Sequence, residues 1–143
     1  MATGVQLLLD KLMANAKALF LLDCIGALLT GSLLIGIPAI FSDGFGIPGN
    51  IIYALSAVAG IFAVYSFCCF YFLPGNWQPY LKAIAVANFL YCSSTLGLVI
   101  YFYQRLTVLG WIYFLSEVLL MTGLIYIEMK AAARPADKKN QSF

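Results

Sequence analysis

Four stretches of this chain, residues 18–41, 51–73, 81–103 and 106–127, each run for over 20 residues with at most one charged side chain. A helix rising about 1.5 Å per residue needs about 20 mostly apolar residues to cross a hydrocarbon core about 30 Å thick. In lipid every backbone N–H and C=O must be satisfied inside the spanning structure, so runs that are apolar on all sides read as helices. A membrane barrel would instead show segments of about ten residues with alternating polarity. The links between runs are short, which sets neighbouring helices antiparallel. The expected fold class is all-α: a four-helix transmembrane bundle running up-down-up-down.

Composition agrees. Of the 143 residues 63% are hydrophobic and 10% charged, whereas a soluble domain has roughly a quarter of its residues charged. A soluble fold of about 150 residues still exposes roughly a third of its unfolded-chain surface, too much to hide this apolar content from water. There is no histidine, which removes the commonest general base and metal ligand, and no basic patch interleaved with aromatics for nucleic acid. Neither catalytic chemistry nor a cofactor or metal is expected.

Lys and Arg orient the spans. With the amino terminus cytoplasmic, Lys11, Lys17, Lys82, Lys130, Arg134, Lys138 and Lys139 fall on that side and Arg105 alone on the other, so both termini are expected in the cytoplasm. The same ends are suited to anionic lipid headgroups. In residues 1–17 the side chains Val5, Leu8, Leu9, Leu12, Met13 and Ala16 recur at helical spacing, which predicts an amphipathic segment, either lying in the interface or continuing the first span. A cleaved signal peptide fits less well, because the cationic residues follow the first apolar cluster. The loop SDGFGIPGN, residues 42–50, and the turn Pro74-Gly75-Asn76 separate the spans, with Trp77 and Tyr80 suited to the headgroup boundary. Residues 134–143 read as a disordered cytoplasmic tail.

A charged side chain inside a membrane asks for a reason, since its insertion costs about 2.5–3.5 kcal/mol. Glu117 lies roughly 15 Å deep on the fourth span, Asn88 about 10 Å deep on the third and Asp23 about 7 Å deep on the first. Asp23 shares a helical face with Gly26, Ala27 and Thr30, and Asn88 with Cys92 and Thr95, so all three are expected to look inward. Glu117 is level with Thr30, Cys92 and Ser93, where burial in hydrocarbon favours a neutral, proton-donating carboxyl. The three form the candidate intramembrane site: either a polar core that fixes helix register, or a proton- or cation-exchanging carboxyl at Glu117, oriented by Asn88, with Asp23 at the cytoplasmic mouth. Glu128, beside Lys130, is expected to be a solvated anchor.

Cys24, Cys68, Cys69 and Cys92 lie within apolar runs and lack zinc or CxxC spacing, which reads as packing, with thiol chemistry at Cys68 or Cys69 the remaining option. Small residues recur four apart, Ala27 with Gly31, Ser32 with Gly36, Ser56 with Gly60, Ala83 with Ala87 and Ser93 with Gly97. They predict close helix packing or self-association.

The segments AIAVANFLYCSSTLGLVIYF and LTVLGWIYFLSEVLLMTGLIYIEMK, with Ala87-Asn88, Leu106-Thr107, Gly110 and Glu128, resemble a family of small bacterial four-helix membrane proteins with no assigned activity. LLTGSLLIGIPAIF and the following GIP look similar to that family's first hairpin. The resemblance implies a multi-pass protein of a bacterial cytoplasmic membrane and supplies no substrate; members often lack a carboxylate where Glu117 stands. The functional expectation is an interaction or accessory component in a homo-oligomer or larger membrane complex. A small proton-linked carrier or channel using Glu117 is the alternative, and a membrane thiol redox protein the third reading.

Overall fold

The computed structural model describes residues 3–41, 44–72 and 75–133, with only the backbone of residues 12 and 13. Among them are five helices: α1 (Gly4–Ala14), α2 (Ala16–Ile40), α3 (Gly49–Phe72), α4 (Gln78–Tyr101) and α5 (Val108–Ala132). The described residues contain no strand. Helices α2 to α5 are long and apolar enough to span a membrane, with mean hydropathies of 2.1, 2.0, 1.8 and 1.8, and the chain is accordingly a multi-pass membrane protein. Their outward side chains are large and apolar, Leu119 and Leu120 each being 74% exposed, as suits a surface solvated by lipid. The expected tail and the residues Ser42, Asp43, Leu73 and Pro74 lie outside the described residues.

The amphipathic segment and the first span are separate helices. Asn15 leaves helical geometry (φ −114°, ψ 94°) and its side chain accepts from the Ala18 N–H, capping α2 where the first turn's donors have no intrahelical partner. The face proposed from sequence is only partly used. Leu9 packs on the core, while Val5 and Leu8 stay exposed. Pro38 does not break α2; the helix runs through it to Ile40, since a proline so near the end forfeits only one late hydrogen bond.

Helix α2 lies along α3, and α4 along α5, over much of their lengths, whereas α2 meets α5 at few points. Of the small-residue pairs, Gly31 provides a close approach: a Cβ there would sit 3.6 Å from the Ser56 carbonyl oxygen, and the Ser56 hydroxyl donates to the Gly31 carbonyl at 3.1 Å. Added Cβ atoms at Gly36, Gly60 and Gly97 would meet nothing within 4 Å, so those glycines hold no helix–helix approach.

The two apolar ends of the molecule are built differently. At one end Leu19, Phe20, Cys69, Leu81, Ile84 and Ala131 form a compact cluster. At the other, the turn after α2 folds back between helices: Phe45 is buried, its ring 4.9 Å from Tyr113 and 5.2 Å from Phe114. The Thr107 N–H donates to the Phe45 carbonyl at 3.1 Å and the Thr107 hydroxyl to the Gly44 carbonyl at 2.8 Å. The same threonine caps α5 through the Gly110 N–H. Gly46 adopts φ +83° with its absent Cβ 1.9 Å from the Arg105 carbonyl oxygen, and a Cβ on Gly110 would fall 2.6 Å from the Phe45 oxygen. Only glycine permits both approaches.

Candidate functional site: buried carboxyls and an open groove

Between these apolar ends lie the buried polar side chains, and among the described residues the buried charged groups are three carboxyls, Asp23, Glu117 and Glu128, with no Lys or Arg. They form two sites.

Asp23 is the hub of the first. It is 2% exposed and accepts a short hydrogen bond from the Ser66 hydroxyl and another from Asn88 Nδ2 at 2.7 Å. Asn88 Nδ2 also makes a long contact, 3.4 Å, to Glu128 Oε2. Through this amide the Asp23 and Glu128 carboxyls are brought close together. Glu128 Oε1 has no hydrogen-bond partner. One residue from each of α2, α3, α4 and α5 thus meets at a single point. Each sits there for a helical reason: Ser66 shares its face of α3 with Ala59, Ala63 and Cys69, and Glu128 its face of α5 with Ala131.

This arrangement corrects three expectations. Glu128 is not a solvated anchor but 0% exposed, because α5 continues to Ala132 and turns it toward Asp23 rather than toward water. Asn88 orients Asp23, not Glu117. Asp23 lies enclosed by Ser66, Asn88 and Glu128 instead of guarding an open mouth.

Glu117 forms the second site, eleven residues before Glu128 and about 16 Å along α5 from it. It is 8% exposed. The Tyr91 hydroxyl donates to its Oε1 at 3.3 Å, the Thr30 hydroxyl lies beside the carboxyl, and Oε2 has no hydrogen-bond partner. Thr30 was expected at this depth; Ser93 is exposed and bonds its own helix at Phe89. A small cavity of about 20 Å³ lies between the two sites, touching Asp23, Asn88, Thr30 and Tyr91, which is room for about one water.

On its other side Glu117 reaches the groove between α2 and α5, a cavity of about 690 Å³ whose walls are mainly apolar side chains such as Leu29, Leu33, Ile112 and Leu120. Thr30, Tyr113, Ser116 and Glu117 are its polar lining residues, and the Tyr113 hydroxyl donates to the Thr30 carbonyl at 3.4 Å. Cys68 is exposed and Cys69 buried, both as free thiols. Among the described residues no group of three or more His, Cys, Asp and Glu side chains could hold a metal ion.

Sequence reasoning missed Ser66, Tyr91 and Tyr113. Ser66 carried a usable signal, falling on the same face as Ala59 and Ala63, but serine is too common in apolar helices to stand out. The two tyrosines fall within apolar runs, where nothing local marks a partner for a carboxyl. No family model, curated protein or solved structure matches this chain.

Proposed function

We propose that this chain is an interaction or accessory component of a bacterial cytoplasmic membrane, without catalytic chemistry of its own, working in a homo-oligomer or larger membrane complex. Its spans run up-down-up-down with both termini cytoplasmic. The contacts Asp23 with Ser66 and Gly31 with Ser56 fall in opposite chain order on α2 and α3, as antiparallel neighbours require. The seven-to-one distribution of Lys and Arg supports the orientation.

One observation carries the reading: Asp23, Ser66 and Asn88 bond one another across three spans, with Glu128 of the fourth beside Asn88, while the outward surface of the spans is mainly apolar. Such a body is fitted to packing beside other membrane proteins. Purification in mild detergent tests this. Recovery with a stoichiometric partner or as a defined oligomer is the expected result, and recovery as a lone monomer overturns it.

The unpartnered oxygen of Glu117 favours a second reading, a small oligomeric proton-linked carrier. That reading requires Glu117→Gln to abolish pH-dependent flux in liposomes while the protein still folds.

A further inference from the structure

We propose that the groove between α2 and α5 is a binding site for a lipid-soluble amine, whose N–H group bonds the Glu117 carboxyl while its apolar body fills the groove. The proposal names a ligand class for the site of the second reading above and rests on Glu117 being its essential group.

Three observations converge. The first is the unmet acceptor: Glu117 is buried, its Oε1 is held by Tyr91, and its Oε2 has no partner. A buried polar atom left unbonded costs about 1–3 kcal/mol, so an occupant that supplies a donor is favoured over a bare acyl chain, which supplies none. The second is charge. The Tyr91 hydroxyl donates to the carboxyl, and the buried charged groups among the described residues are all acidic. An amine supplies what this interior lacks, because an amine and a carboxyl share one proton in an N–H···O bond wherever the proton resides. The Tyr113 ring also lines the groove and offers an ammonium a π-face.

The third observation is shape. About 690 Å³ lies within the range of small-molecule sites, about 300–1,000 Å³. The space is left open on both walls by glycine. Gly26 on α2 and Gly123 on α5 both border the groove, and a Cβ on either would meet nothing within 4 Å. A side chain begun at either position would start into this open space.

The test is calorimetric titration of dodecylamine into the full chain in lipid nanodiscs, with empty nanodiscs subtracted and dodecanol as the neutral counterpart of equal length. Saturable dodecylamine binding is expected, weaker by about tenfold or more in Glu117→Gln, which keeps the Tyr91 bond but loses the carboxyl. Gly123→Leu, which leaves Glu117 untouched, should weaken it similarly by filling the groove. Dodecanol should bind more weakly than dodecylamine. Binding unchanged in both variants, equal binding of dodecanol, or no signal above empty nanodiscs overturns the proposal. Liposome flux separates this site from the carrier reading. Saturable binding without pH-dependent flux retires the carrier and keeps the site, whereas flux without saturable amine binding retires the site and keeps the carrier.

Discussion

The two carboxyl sites of this protein contain the same kind of chemistry in opposite circumstances. At Asp23 an acid from α2 is met by a hydroxyl from α3 and by an amide from α4 that also reaches a second acid on α5. At Glu117 one phenol reaches one oxygen, and the other oxygen is left without a partner beside an open groove. The Asp23 carboxyl has both oxygens bonded, one to α3 and one to α4; the Glu117 carboxyl keeps one oxygen unbonded. Depth in the membrane does not separate a structural acid from a binding one. The count of partners does.

If that distinction is right, damage at Asp23 has the largest effect on folding. Asp23→Leu leaves Ser66 and Asn88 without their common partner. Hydrogen bonds between membrane helices average about 0.6 kcal/mol and reach about 1.7, and an orphaned buried group costs about 1–3 kcal/mol. The variant should lose roughly 2–4 kcal/mol, measured by equilibrium unfolding in mixed micelles. A loss no greater than that of Glu117→Leu in the same assay would remove the contrast between the sites.

Next in size is the interlocked turn at the opposite end. Gly46→Ala puts a Cβ into the Arg105 carbonyl at a backbone angle of +83°, and should cost about 2 kcal/mol or more, through strain and through displacement of Phe45. Thr107→Val removes the cap on Gly110 and the bond to Gly44 together, for about 1–2 kcal/mol. Thermal unfolding in detergent ranks the two. If Thr107→Val proved the more damaging, the turn would be held by its hydrogen bonds more than by its glycine backbone.

The same two regions show what could be read in the chain beforehand. The four spans were legible because length and hydropathy suffice to satisfy lipid, and the inward direction of Asp23 and Asn88 followed from helical period. What could not be read was partnership. Asn88 lies at a depth that either acid could share, and only the tertiary arrangement, which brings its Nδ2 to 2.7 Å from Asp23 Oδ1, decides for Asp23. Glu128 was misjudged because it follows Ile127 and precedes Lys130, a pattern that resembles the end of a span; its burial depends on Asp23 and Asn88, 105 and 40 residues away in the chain. Phe45 sat in a Gly- and Pro-rich loop, where nothing local marks a residue that folds back into the core.

The smallest stability effect belongs to Glu117→Gln. The amide is nearly isosteric, its oxygen can still accept from Tyr91, and the unbonded Oε2 offers no existing bond to lose. Stability should therefore stay within about 0.5 kcal/mol of the parent. Asp23→Asn tests the other circumstance with the same chemical change, since an amide has one acceptor oxygen where Ser66 and Asn88 each donate to a separate oxygen of Asp23. It should cost about 1 kcal/mol or more. Measured side by side in mixed micelles, the pair isolates how many partners each acid has from how deeply it is buried. Equal losses would mean that Glu117 is held as firmly as Asp23 and has no capacity in reserve for a ligand.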